Sequence, residues 1–115
     1  MKKVIVLSLG GSLIIPGDIN TNYLKDFKKV VLKNKSKYKF IIVCGGGSLA
    51  RKYISSLRDI NIGEKFQSYS GISATRTNAR FMSYFFNQDQ KRGIPDKTRE
   101  VKKYIKNMIL FFVGL

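Results

Sequence analysis

Two stretches of this chain carry residues suited to holding phosphate. They are Ser8-Leu9-Gly10-Gly11-Ser12 and Gly45-Gly46-Gly47-Ser48-Leu49-Ala50-Arg51. Glycines lack Cβ atoms, so an anion can come close to their backbone N–H groups. A serine directly after the glycines can cap a following helix, whose free N–H groups and dipole favour negative charge. Arg51 stands one turn into that helix and can fork onto phosphate oxygens. The chemistry on offer is binding, orientation and charge neutralisation. A lone Gly-Gly pair is equally well explained as a tight turn. The same device after a second apolar run is what points to a ligand.

Composition removes other chemistries. The chain has no histidine, which excludes His-dependent triads and zinc sites built on imidazole. Its one cysteine, Cys44, excludes an internal disulfide and suits a reducing compartment. Cys44 reads as a small apolar residue at a strand end, not as a reactive thiol. None of the seven acidic residues lies in a glycine loop, so no metal ligand is assigned. With 22 basic residues against seven acidic, the net charge is +15, which suits polyanions. Lysines and arginines are spread along the chain, however, and the aromatics fall at core periods. A nucleotide-sized ligand on a basic background therefore fits better than a nucleic-acid surface. No apolar run reaches the ~18 residues of a membrane span. Met1-Lys2-Lys3 and the run Val4–Leu9 have the outline of a signal peptide, but Gly10-Gly11 breaks the run and no cleavage site follows. A cytoplasmic location is expected.

The elements that position the two loops follow from periodicity. Val4–Leu9 and Phe40–Val43 read as buried strands, the second covered on both faces. Between them, Leu24, Phe27 and Val31 give one helical face, capped by Asn20 or Thr21 and ending near Asn34. Lys25, Lys28, Lys29 and Lys33 read as its solvated side. Strand, helix and parallel strand make a right-handed crossover unit, which sets the two glycine loops side by side. A helix from Ser48 to about Arg58 carries Leu49, Tyr53, Ile54 and Leu57. Asp59–Gly63 closes it, and Glu64–Ser70 reads as a loop. Ile72, Thr75, Ala79, Met82 and Phe86 predict another helix ending near Phe86, in which Arg76, Asn78 and Arg80 read as surface residues. A charged loop over Asn87–Asp96, a short helix over Lys97–Asn107 and a strand over Ile109–Val113 complete the pattern. Gly114 reads as the start of a third glycine turn. The domain is expected to be truncated, as a fragment or as a chain completed by a partner.

Three motifs in this order resemble the amino acid kinase superfamily, above all its archaeal-type uridylate (UMP) kinases. They are Ser8–Ser12, Gly45-Gly46-Gly47-Ser48-Leu49-Ala50-Arg51-Lys52-Tyr53 and Gly71-Ile72-Ser73-Ala74-Thr75-Arg76-Thr77-Asn78-Ala79. The resemblance implies an α/β fold, a three-layer α/β/α sandwich with a mainly parallel sheet. Residues 1–115 would be the N-terminal portion of a single domain, about the first half of a family member. It implies phosphoryl transfer from ATP to UMP in pyrimidine nucleotide biosynthesis, with Mg as the metal. By resemblance, Gly11, Ser12, Gly47 and Arg51 meet the ATP phosphates, and Gly46 and Ser68 meet UMP. Nucleotides are the implied partners, with self-association, often as hexamers.

The chain departs from the family at two positions. Ser8 stands where many bacterial relatives have lysine, and Ser68 where UMP sites usually have an aspartate that reads the nucleoside. A hydroxyl is a weaker, uncharged acceptor. Three alternatives therefore stay beside the kinase reading. One is a truncated or degenerate non-catalytic nucleotide-binding module. Another is a kinase of the same fold with a different phosphoacceptor. The third is a basic nucleic-acid-binding protein.

Overall fold

A computed structural model describes residues 2–88 and 109–113. The chain runs β1 (Lys3–Leu9), α1 (Gly11–Ile14), α2 (Thr21–Asn34), β2 (Tyr38–Cys44), α3 (Gly47–Asp59), α4 (Glu64–Phe85) and β3 (Ile109–Val113). The strands form one parallel sheet in the order β1-β2-β3. Leu9 pairs with Cys44, and Cys44 with Val113, so all three strands end level.

Both crossovers step the same way across the sheet. With right-handed connections, that puts their helices on one face. The packing agrees. Ile5, Leu7 and Leu9 pair with Phe40, Ile42 and Cys44, and Ile42 pairs with Phe111. This row packs with Leu24 and Val31 of α2, Ala79 and Met82 of α4, and Phe86 just beyond it. Leu9, Ile14, Leu24, Ile42 and Met82 are essentially sealed from water. Each such side chain contributes about 1.5–3 kcal/mol by burial. On the opposite face Ile41 is buried while Lys39 and Val43 are half-buried, so this side of β2 is less fully covered than its sequence predicts. Val4 and Val6 of the outer strand β1 are 45% and 63% exposed.

The helices differ from expectation in instructive ways. Asn20 does occupy the N-cap of α2, but its side chain makes no cap hydrogen bond. Its amide donates instead to Leu13 O at 3.2 Å. Of the lysines read as solvated, Lys25, Lys29 and Lys33 are exposed, whereas Lys28 is half-buried. Lys28 Nζ donates to Phe85 O at 2.8 Å and lies 5.6 Å from the Phe85 ring centroid. A cation there satisfies a carbonyl in the last turn of α4 and meets the negative end of its dipole.

The largest correction concerns Glu64–Ser70. The sequence reads as a loop here, yet these residues form the first two turns of α4. Gly71 is unfavourable in a helix by propensity. Here a Cβ at Gly71 would come 3.1 Å from Ile54 Cδ1, so the glycine lets α4 lie close against α3. Tertiary packing outweighs propensity at that point. The sequence-based loop beyond Gln88, the helix over Lys97–Asn107 and the turn at Gly114 lie outside the described residues. Among those described, no helix is long and apolar enough to cross a membrane.

Candidate functional site

The level strand ends bring the two glycine loops together. Gly45 N–H donates to Leu9 O at 3.2 Å, which extends the β1–β2 ladder by one bond. Beyond it the chains pack backbone to backbone. A Cβ on Gly11 would collide with Gly47 N, and a Cβ on Gly47 with Gly11 O. Gly47 has φ +60°, in the left-handed region that favours glycine. Ile15 N–H donates to Gly11 O at 2.8 Å, and Ser48 N–H to Ile15 O at 3.1 Å. Arg51 Nη1 donates to Ser12 Oγ at 3.3 Å. Gly11 and Ser12 thus meet Gly47 and Arg51, two segments of the chain that the level strand ends unite.

Ser48 does not act as the expected helix cap. Gly46 is the N-cap of α3 and no side chain caps it. Ser48 is buried, and its hydroxyl faces Gly17 O at 3.5 Å. Its N–H is held by Ile15. The hinge needs these contacts to lock two glycine loops together, and Ser48 serves that lock.

The other wall comes from α4. A Cβ on Gly46 would meet Ala50 Cβ at 2.5 Å and Thr75 Oγ1 at 3.2 Å. Thr75 is buried, with its hydroxyl donating to Gly71 O at 2.9 Å. Asn78 is 3% exposed, and its Nδ2 donates to Gly45 O at 2.9 Å and Gly46 O at 3.0 Å. Arg76 and Arg80 are exposed, as their reading predicts; Asn78 is not a surface residue. A signal for it exists in the sequence. Position 78 falls on the same helical face as Thr75, Ala79 and Met82, and an amide on an apolar stripe requires partners. Ser68 sits one turn before Gly71, beside the same face, and is exposed. It is not part of the packed hinge.

The charge at the hinge is positive, from Arg51. The described acids are Asp18, Asp26, Asp59 and Glu64, all exposed and none in a glycine loop. Among the described residues, no three side chains gather to hold a metal. A magnesium ion bound to the described carboxylates does not fit this hinge. Cys44, directly before it, is buried, and burial pushes its thiol up to about 12. It is a protonated packing residue, not a nucleophile.

The amino acid kinase family model matches residues 3–106. A uridylate kinase of Thermoplasma acidophilum is 45% identical over 84 residues, covering 72% of this chain and 36% of that protein. One from Methanosarcina acetivorans is 34% identical over 111 residues, covering 96% of this chain and 47% of that protein. The chain spans about a third to a half of the length of these relatives. The crystal structure of the uridylate kinase from Archaeoglobus fulgidus superposes with TM-score 0.78 at 32% identity, over 97% of this chain and 50% of that one. The UMP kinase from Ureaplasma parvum, at 20% identity and TM-score 0.75, shares the fold. Parallel sheet, crossover helices and family match agree, and the chain belongs to the amino acid kinase family.

Proposed function

We propose that this chain is the N-terminal, phosphate-binding portion of a uridylate kinase-type phosphotransferase. The observation that carries the reading is the backbone contact of Gly11 and Gly47, which joins two glycine loops beside Arg51. In this role Gly11, Ser12, Gly47 and Arg51 bind the phosphates of ATP, and Gly46 and Ser68 bind UMP. A phosphate oxygen of UMP attacks the γ-phosphorus as its bond to the bridging oxygen of ADP breaks, giving UDP and ADP. No bond to the protein forms. Backbone N–H groups and Arg51 would align the phosphates and offset charge as it moves. Magnesium enters with ATP in such reactions. None of the described acids is placed to hold it, and no step is assigned to it here. A cytoplasmic location and self-association belong to the same proposal.

Ser68 favours a second reading, a kinase of this fold with another phosphoacceptor. Its exposed neutral hydroxyl stands where the family's nucleoside-reading aspartate is expected. Calorimetric titration of the purified chain separates the two, using UMP, then ATP·Mg, with CMP as control. Saturable UMP binding that survives moderate salt and is weaker for CMP supports the uridylate reading. ATP binding without UMP binding supports another acceptor. Failure of both ligands to bind a chain folded by circular dichroism overturns the proposal.

A further inference from the structure

Asn78 contacts the hinge in a way that reaches beyond packing. Its side-chain NH2 has two hydrogens, and both are used, one on Gly45 O and one on Gly46 O. Both partners are carbonyls, so the orientation of the amide is unambiguous. In a trans peptide the C=O and the following N–H point in opposite directions. No peptide bond among the described residues is cis. The carbonyl of Gly45 shares its plane with Gly46 N–H, and the carbonyl of Gly46 with Gly47 N–H. Drawing both carbonyls toward Asn78 therefore turns both N–H groups away from α4.

We propose that Asn78 is a positioning residue that sets the direction of the Gly46 N–H toward UMP and of the Gly47 N–H toward the ATP phosphates by holding the two carbonyls behind them. The proposal rests on the phosphate-binding reading above. Glycine is the residue least able to hold its own peptide orientation. A run of three glycines next to a ligand needs an external restraint if its donors are to be preorganised. Asn78 supplies it from a rigid helix, in a buried site where water does not compete. Aspartate has the same shape but no donors, serine has one, and an apolar residue would leave Gly46 O with the helical hydrogen bond from Ala50 N–H at 3.2 Å but remove the one restraint that ties the Gly45 and Gly46 carbonyls together.

The test is NMR on the full chain. In the wild type, couplings across the hydrogen bonds from the Asn78 side-chain nitrogen to the Gly45 and Gly46 carbonyl carbons should be detectable; their absence overturns the proposal without any variant. In Asn78→Ala, and in Asn78→Asp if the first does not fold, the N–H dipolar couplings of Gly46 and Gly47 should change while those of Lys52–Leu57 hold. Unchanged glycine couplings overturn the proposal. Titration with UMP should shift the Gly46 amide and titration with ATP·Mg the Gly47 amide in the wild type, and affinity should fall about tenfold or more in the variant. A wild type that binds neither probe ends the phosphate reading, and with it the ligand half of this inference. The dipolar couplings still decide whether Asn78 sets the amides.

Discussion

The backbones of Gly11 and Gly47 touch, and neither residue has room for a side chain. Two loops 36 residues apart in sequence are thus interlocked at their tips. Replacing either with alanine forces the strand ends apart, and at Gly47 it also places a side chain at φ +60°. Gly11→Ala and Gly47→Ala should each cost about 2 kcal/mol or more of stability. Gly10→Ala is the control, because nothing lies within 4 Å of a Cβ there. Urea unfolding of the three variants checks this. Equal midpoints for Gly10→Ala and Gly11→Ala would contradict the interlock.

Arg51 is exposed and holds Ser12 by a single 3.3 Å hydrogen bond. That contact is too weak and too wet to matter much for folding. Arg51→Ala should leave the unfolding midpoint within about 0.5 kcal/mol of wild type. The same variant should weaken ATP binding by about 1.5–3 kcal/mol, the range for a charge-assisted hydrogen bond. Arg51→Lys keeps the charge but loses the fork, and should fall between. Paired calorimetric and unfolding measurements separate the two roles. A large stability loss with unchanged ATP affinity would make Arg51 structural.

Much of this arrangement was legible from residue pattern. Leu24 and Val31 lie on one face of α2 and are both sealed, as their spacing requires. The two strand–glycine units announce themselves because strand, turn and helix chemistry agree there. What escaped were contacts made across long sequence distances. Gly71 resembles a helix breaker until Ile54 is seen against it. Asn78 resembles a surface amide until the Gly45 and Gly46 carbonyls are seen behind it. Lys28 resembles its solvated neighbours until Phe85 O is found 2.8 Å away. Helical periodicity places a residue on a face, but its partner comes from another element.

Ser68 offers a gain-of-function experiment. It is exposed in the second turn of α4. Ser68→Asp should fold as well as wild type. If the nucleoside lies over this position, the charged acceptor should tighten UMP binding by about 1 kcal/mol, roughly fivefold. Competition titration of UMP against CMP reads the change. An unchanged UMP affinity in a wild type that binds UMP would remove Ser68 from the nucleoside site.

Cys44 predicts a pH dependence. Burial raises its thiol from an ordinary value near 9 to about 12. Between those values the unfolded chain releases a proton that the folded chain retains. The unfolded state then binds fewer protons, so stability falls as pH rises. The contribution is fully present below about pH 9 and is lost progressively toward about pH 12. Lysines and tyrosines titrate in the same range, so the comparison must be with Cys44→Ala. That variant loses the packing of a fully buried sulfur and starts less stable. Its deficit should shrink by about 1.4 kcal/mol between about pH 8 and about pH 10, because alanine has no proton to lose. Urea unfolding of both chains across that interval gives the difference directly. A deficit that stays constant would mean that Cys44 ionises as readily in the folded chain as in the unfolded one, and the thiol would then have to be counted among the exposed groups of the hinge.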